Sequence, residues 1–171
     1  MNTSALPADD TLLLHGATTS RLLKYIQAGH PVCVTMTILD GLVLARSSFH
    51  HSVNYRSVVL FGHGTLITDP DEKMAALAAF TDRMMPGRWD DAREPNRKEF
   101  KATSVVALPI DSASAKVRVG PPKDDKEDMD LPVWAGIVPI RQMVGEPQDA
   151  PDLRDGVPVP GYIAEYVAKG R

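Results

Sequence analysis

The stretch that decides the fold is LVLARSSFHHSVNYRSVVLFGHG, from Leu42 to Gly64. It predicts two β-strands joined by a short polar link, because apolar runs stand on either side of His50, His51, Asn54, Tyr55, Arg56 and Ser57. A solvent-exposed hairpin tip usually carries Gly, Pro or Asp rather than such a dense set of hydrogen-bonding side chains. Polar groups gathered in this way beside a strand pair indicate a ligand site.

The composition is typical of a globular protein with one core. The chain has 171 residues, of which 43% are apolar and 24% are charged, and its net charge is −3. Its basic residues are scattered, so we expect no nucleic-acid partner. No signal segment opens the chain, and no apolar run reaches the about 18 residues that cross a bilayer. We therefore expect a cytosolic protein without a membrane partner.

The single cysteine, Cys33, limits the possible covalent and metal chemistry. One cysteine excludes an internal disulfide and a cysteine-rich zinc site. Because Cys33 lies in the apolar run VCVTMTIL, we expect a buried structural thiol and not a nucleophile.

The first half of the chain predicts strands around one capped helix. Thr18, Thr19 or Ser20 is a suitable cap for a helix over residues 21–28, which Gly29 ends. Asp40-Gly41 between apolar runs predicts a tight hairpin. The expected strands cover residues 11–14, 32–39, 42–49 and 54–67, and Gly64 in the last of them permits a close backbone approach.

The second half predicts one long helix, two strands and an extended end. Asp69-Pro70-Asp71-Glu72 is a strong helix start, and the helix should run to about Met85 with Met74, Leu77 and Met84 on its apolar stripe. We expect a surface loop over 88–101, strands over 103–110 and 132–140, a proline-rich tail over 146–160 and a short terminal helix. These strands, with few βαβ units, favour a mainly β (α+β) fold: an antiparallel barrel or sheet flanked by helices.

The order of these motifs resembles the flavin-binding split-barrel superfamily, the fold of pyridoxamine phosphate oxidase. Within it, HHSVNYRSVV, DPDEKMAAL, PGRW and SAKVR are most similar to the flavin-nucleotide-binding branch that includes nitroimidazole-resistance proteins. The resemblance implies an antiparallel split β-barrel over residues 1–145 and a proline-rich tail with a short helix over 146–171. It also implies one or two earlier strands, which are not recognisable before Thr11.

The resemblance implies an FMN site. A helix start attracts phosphate through its free N–H groups, and Ser20 and Arg21 add side-chain donors, although an ordinary capped helix with a surface arginine has the same pattern. The family implies that this corner holds the FMN phosphate, that His15 and Gly16 line the flavin edge, and that Tyr55, Ser57 or Arg56 meets the polar edge of the ring. The resemblance also suggests that the region around Lys116 reaches the flavin site, either within one subunit or across a dimer interface.

His50 and His51 are the candidate catalytic residues. The nitroimidazole-resistance relatives suggest that one of them lies near the flavin and faces the substrate. The alternative is that both satisfy backbone groups at a strand end. Neighbouring strand residues point to opposite faces, so one metal ion cannot easily bind both, and we expect no metal site.

Together these features predict a homodimeric FMN-binding flavoprotein with its cofactor at the interface. The expected activity is a flavin-dependent oxidoreductase acting on a small oxidised molecule, with NAD(P)H as electron donor. The alternatives are a non-catalytic flavin-binding module, a pyridoxamine phosphate oxidase-like enzyme, and a split barrel that has lost its cofactor. For Trp134, the sequence favours packing in the core over stacking on a ring system.

Overall fold

The computed structural model describes residues 10–170. Its strands are β1 (Thr11–Ala17), β2 (Pro31–Leu44), β3 (Ser52–His63), β4 (Thr65–Leu66), β5 (Thr103–Pro109), β6 (Ser112–Arg118) and β7 (Gly136–Pro139). Its α-helices are α1 (Arg21–Gln27), α2 (Pro70–Met84), α3 (Arg88–Asp91), α4 (Arg97–Ala102) and α5 (Gly161–Ala168). Two single-turn 3-10 helices cover Ser48–His50 and Lys126–Asp128.

The chain divides into two compact units, which are described separately. The first unit comprises residues up to 31, residues 63–109 and the chain from 143 onward. The second unit comprises residues 32–62 and 110–142. The sequence-based boundary at residue 145, between a flavin-binding domain and a tail, stays a prediction.

The first unit is built on a three-stranded sheet in the order β1-β5-β4. Both pairings are antiparallel, with His15 opposite Val105 and Leu66 opposite Val106. The apolar positions of α1 pack on this sheet because Leu23 and Ile26 lie one turn apart, and both are buried. The strand predicted over residues 11–14 is therefore confirmed and extends to Ala17.

A close approach of the backbone occurs at Gly64, as the sequence predicts. A Cβ at this position would lie 2.4 Å from Ile26 Cγ2 and 2.6 Å from Val106 Cγ1, so only glycine fits. The strand is interrupted at Gly64: β3 ends at His63, whereas β4 begins at Thr65 and pairs with β5. The prediction of one strand over 54–67 is wrong for this reason.

The long helix α2 follows its sequence signals closely. The Asp69 carboxylate accepts hydrogen bonds from the backbone N–H groups of Asp71 and Glu72, both at 2.9 Å, and Pro70 occupies the first position. The predicted apolar stripe is only partly present, since Met74 and Leu77 are half-buried but Met84 is 71% exposed. The last turn of α2 therefore extends beyond the core.

The surface loop predicted over residues 88–101 is wrong, because α3 and α4 occupy much of it. Helix α4 begins with a capping box: Asn96 accepts from the backbone N–H groups of Lys98 and Glu99, and the Glu99 carboxylate accepts from the Asn96 N–H. The predicted terminal helix is present as α5. Its Tyr162 hydroxyl donates to the Asp91 carboxylate at 2.7 Å, which fixes α5 against α3.

The second unit is built on a four-stranded sheet in the order β6-β3-β2-β7. Strand β2 runs through Asp40-Gly41 without turning, so the hairpin predicted there is wrong. The Asp40 carboxylate binds Arg56 instead of closing a turn. Gly41 allows β7 to approach, since a Cβ would lie 3.0 Å from Ile137 Cγ2 and 3.1 Å from the Val138 carbonyl oxygen.

Three further expectations fail in the second unit. The strand predicted over 132–140 is limited to β7, and β6 is additional to the predicted strands. Cys33 is exposed, because alternation along β2 leaves Val32 and Val34 half-buried and turns the thiol outward. Trp134 is 64% exposed and precedes β7, so it is not a core residue.

The predicted fold class is confirmed: the chain is mainly antiparallel sheet with a few helices. Over residues 10–170 the two sheets are not closed into a barrel. None of the helices in this range is long and apolar enough to cross a membrane. The same range contains no group of three or more His, Cys, Asp and Glu side chains positioned to hold a metal ion.

Candidate functional site

The register of β3 and β6 brings three of the predicted cofactor residues together. Ser57 lies directly opposite Lys116, and Tyr55 lies opposite Arg118. Residues opposite each other in an antiparallel pair share a face, and so do residues two apart on one strand. Tyr55, Ser57, Lys116 and Arg118 therefore lie on one side of the sheet, here named the Tyr55 face.

The Tyr55 face offers hydroxyl and ammonium donors at neighbouring positions. Thr37 on β2 also belongs to it, because its Oγ1 lies 2.8 Å from Ser57 Oγ. Lys116 is exposed and has no ion-pair or hydrogen-bond partner within residues 10–170. Because one hydroxyl donates to the other, the pair offers one free hydroxyl hydrogen beside the ammonium. These donors suit a ligand edge that carries carbonyl or phosphate oxygens.

Arg56 lies on the opposite side of the sheet. Its guanidinium donates to both Asp40 oxygens, from Nε at 3.0 Å and from Nη2 at 2.8 Å. These hydrogen bonds lower the pKa of Asp40, and they raise that of Arg56, so the pair is fully charged at neutral pH. A flat ring on the Tyr55 face cannot also contact Arg56. Of the predicted ring contacts, Tyr55 and Ser57 therefore lie on one side of the sheet and Arg56 lies on the other.

The two candidate catalytic histidines lie between β2 and β3 and already have partners. His50 ends the 3-10 helix and places Nε2 3.1 Å from an Asp125 carboxylate oxygen. His51 accepts the backbone N–H of Ala45 at Nδ1, at 3.0 Å, which leaves the ring proton of neutral His51 on Nε2. His51 is exposed, so it presents an N–H donor to solvent.

A buried carboxylate holds this connection in place. The Asp124 side chain is 2% exposed, and its carboxylate accepts hydrogen bonds from the Arg46 backbone N–H at 2.7 Å and from Arg46 Nη1 at 2.9 Å. Burial alone would raise the pKa of Asp124, but the hydrogen bonds from Arg46 and from the Ser47 backbone outweigh it and lower the pKa. Asp124 is therefore ionised at neutral pH and fixes the start of the histidine segment.

A second buried link joins β3 to the chain after β6. The Asn54 side chain is buried, donates to the Gly120 carbonyl oxygen at 3.1 Å and accepts from Arg118 Nη1 at 2.8 Å. The guanidinium of Arg118 is thus held by the Asn54 side chain. Asn54 has a positioning role in this arrangement.

The remaining predicted residues belong to the first unit. His15 is exposed, and its ring lies 4.3 Å from that of Phe80, measured between centroids. A Cβ on Gly16 would lie 3.3 Å from Leu23 Cδ1, so this glycine allows α1 to pack closely on β1. Ser20 caps α1 by accepting the Leu23 N–H at 3.5 Å. Arg21 is exposed and unpaired within the described residues.

The comparison with protein families decides the family. The sequence model of the family described as pyridoxamine 5'-phosphate oxidase matches residues 3–117, more than half of the chain. The chain belongs to the pyridoxamine 5'-phosphate oxidase family. No curated protein is significantly similar to this family member.

Solved structures similar to this family member include three bacterial proteins. The flavocytochrome Anf3 from Azotobacter vinelandii is 41% identical with a TM-score of 0.85, over 96% of this chain and 75% of that one. The FAD and heme binding protein from Mycobacterium smegmatis is 42% identical with a TM-score of 0.86, over 93% and 78%. A putative 5-nitroimidazole antibiotic resistance protein from Bacteroides thetaiotaomicron is 22% identical with a TM-score of 0.50, over 64% and 62%, which shows likeness of fold.

Several residues of the site cannot be recognised from the sequence pattern alone. Asp124 and Asp125 belong to the mixed-charge run KDDKED, which is typical of a solvated surface, and no local pattern distinguishes them from their neighbours. The pairing of Asp40 with Arg56 was hidden by the stronger turn signal of Asp-Gly. The alternation of polar residues in NYRS does indicate that Tyr55 and Arg56 point to opposite faces.

Proposed function

We propose that this protein binds a flavin nucleotide and uses it to transfer electrons from NAD(P)H to a small oxidised molecule. The observation that carries this proposal is the similarity, at 41% and 42% identity over nearly the whole chain, to a flavocytochrome and to an FAD and heme binding protein. When bound, the flavin supplies the redox chemistry, whereas the protein binds it and orients it.

The donors of the Tyr55 face fit the polar groups of a flavin. The ring edge of a flavin carries carbonyl oxygens, and its side chain carries hydroxyl and phosphate groups. These oxygens would accept hydrogen bonds from Lys116 and from whichever of Thr37 and Ser57 does not donate to the other. The family resemblance adds Ser20 and Arg21 as phosphate contacts, and Arg21 is unpaired in the described part of the chain. The two sets are tested separately.

The first experiment is an absorbance spectrum of the purified protein, followed by titrations with FMN, FAD and riboflavin. FMN is the cofactor that the family resemblance implies, and FAD is named for the Mycobacterium smegmatis protein. Tight binding of either nucleotide near one per chain supports the proposal. The proposal is overturned if the purified protein contains no flavin and none of the three compounds shows saturable binding.

Matched variants then test the two sets of contacts. We expect Lys116→Ala to weaken flavin binding by about tenfold or more, because a charge-assisted hydrogen bond is lost. Lys123→Ala removes another exposed lysine of the same unit and should have no effect. Arg21→Ala is compared in the same way with Lys24→Ala. Unchanged affinity of Arg21→Ala would exclude its phosphate contact.

Turnover is tested by mixing the flavin-loaded protein with NADH or NADPH without oxygen. Loss of the oxidised flavin absorbance supports an oxidoreductase. A protein that binds flavin but is reduced by neither donor is a flavin-binding module instead. Reduction by pyridoxamine phosphate alone would identify an activity of the pyridoxamine phosphate oxidase type.

A second candidate function is that of a flavocytochrome that also holds heme, since both of these similar structures are described in such terms. Heme would supply one-electron chemistry through an axial ligand such as histidine. His15 fits this role better than His50 or His51, because its ring nitrogens have no hydrogen-bond partner within residues 10–170. A Soret band that His15→Ala abolishes and His30→Ala retains would support it. A Soret band that survives His15→Ala would exclude His15 as the ligand.

We also propose that the protein works as a homodimer with flavin at the interface. Within the second unit, residues 129–134 expose four large apolar side chains in one short segment, namely Met129, Leu131, Val133 and Trp134. Such a segment is typical of a surface that a second subunit covers.

A further inference from the structure

The proline-rich tail before α5 carries apolar side chains that no core takes up. Residues 146–160 contain four prolines and form neither helix nor strand, because proline removes the N–H groups that such structure needs. Leu153, Val157 and Val159 in this tail are 41%, 43% and 43% exposed. Apolar side chains gathered on a surface are typical of a binding site.

These three side chains line a cavity of the first unit, here named the tail cavity. It has a volume of about 660 Å³, and α3 contributes Arg88 and Asp91 to its lining while α5 contributes Ile163. Three of the tail prolines also line it, namely Pro147, Pro158 and Pro160. Because proline has a fixed φ, this wall loses little conformational freedom when a ligand binds.

The wall formed by α3 and α5 is held by a network of side chains. Arg88 Nη1 donates to the Asp91 carboxylate at 3.1 Å and to the Tyr162 hydroxyl oxygen at 3.2 Å, and the hydroxyl donates to the same carboxylate oxygen at 2.7 Å. The network joins the two helices that border the cavity. It also pairs the positive charge of Arg88 with the negative charge of Asp91.

The charge that remains in the tail cavity is negative. Asp149 lines the cavity, is exposed and has no hydrogen-bond or ion-pair partner within residues 10–170. A neighbouring groove of about 380 Å³ shares Pro147 and Val159 with the cavity and adds Glu146, which is equally without a partner in the described part of the chain. The partial positive charge at the start of α5 offsets these two carboxylates only in part.

We propose that the tail cavity binds a small organic cation, with its ammonium group on Asp149 and its alkyl or aromatic body against Leu153, Val157 and Ile163. Ligand pockets combine apolar walls with a few placed polar groups and typically measure about 300–1,000 Å³, and the tail cavity has both features. The inference does not rest on the flavin proposal, because none of the residues assigned to the flavin lines this cavity.

The experiment is an NMR titration of the ¹⁵N-labelled full chain with hexylamine, which is protonated at neutral pH. Three comparison probes separate the contributions: ethylamine has the charge with a short body, hexanol has the body without the charge, and hexanoate has the opposite charge. We expect hexylamine to bind most tightly, with saturable amide shifts in residues 148–157 and in α3 and α5. Added salt should weaken it.

A matched pair of variants tests the role of Asp149. Asp149→Asn should weaken hexylamine binding by about threefold or more, because the charge attraction to the ammonium group is lost. Asp149 is exposed and without a partner within residues 10–170, so this variant should fold normally. Asp155→Asn changes an exposed aspartate of the same tail that does not line the cavity, and it should leave the affinity unchanged.

Any of four results would overturn the proposal. Hexylamine shows no saturable binding, or its amide shifts lie outside the lining of the tail cavity. Hexanol or hexanoate binds as tightly as hexylamine, which would exclude selection by charge. Ethylamine binds as tightly as hexylamine, which would exclude the apolar wall. Asp149→Asn and wild type bind hexylamine with equal affinity.

Discussion

Individual charged residues in this protein are held by partners distant in sequence or by helix ends. Asp124 is buried against Arg46, 78 positions earlier, and Asp40 holds Arg56 in a two-point ion pair. Glu99 is held by both Arg93 and the Asn96 N–H, and these hydrogen bonds lower the pKa of Glu99 from 4.5 to about 2. For these carboxyl groups, the hydrogen-bond partners that the fold supplies keep the ionised form favoured.

The lowered pKa of Glu99 predicts a pH dependence of stability. A carboxyl whose pKa falls on folding stabilises the native state above its unfolded pKa of 4.5, and this contribution is lost as the pH falls towards about 2. We expect Glu99→Gln to be less stable than wild type at neutral pH, with a difference that shrinks below about pH 4.5. Urea unfolding between pH 7 and about pH 3 measures this difference. Glu94→Gln is the control, and a pH-independent difference for Glu99→Gln would contradict the assignment.

At the scale of elements, close packing of a helix and two strands depends on one glycine. In the first unit, Gly64 lies against Ile26 of α1 and Val106 of β5, and both side chains are fully buried. We expect Gly64→Ala to lower the free energy of unfolding by about 1–3 kcal/mol, because an added methyl group overpacks the core. Gly145→Ala meets no atom within 4 Å and is the matched control. Equal midpoints for both variants in a denaturant titration would refute this explanation.

Elements with local signals were predictable from the sequence, and those that depend on distant partners were not. Helices α1 and α2 carry their caps, Ser20 and Asp69, next to their first turns. By contrast, Asp40-Gly41 resembles a turn locally, but Arg56 and β7 keep β2 extended. Strand β6, SASAKVR, has few large apolar residues and is defined by its pairing with β3. For the site, alternation predicted the shared face of Tyr55 and Ser57, but Lys116 and Arg118 required the register between strands.

At the scale of the whole molecule, the exposed segment around Trp134 predicts self-association. Trp134 is 64% exposed, and buried tryptophans often dominate the energy of an interface. We expect Trp134→Ser to raise the dissociation constant of the proposed dimer by about thirtyfold or more. Sedimentation velocity over a concentration series measures the constant. Met143→Ser, which changes a side chain that is 88% exposed, is the control. A wild-type protein that stays monomeric at all concentrations would rule out the dimer.

The positions of the two tryptophans have a practical consequence for spectroscopy. Trp89 lies in α3 of the first unit and Trp134 precedes β7 in the second, and the chain contains no other tryptophan. Replacing either one with phenylalanine leaves a single intrinsic fluorophore. Its emission then follows the unfolding of one unit without any attached dye. The chain therefore carries a separate optical reporter for each of its two units.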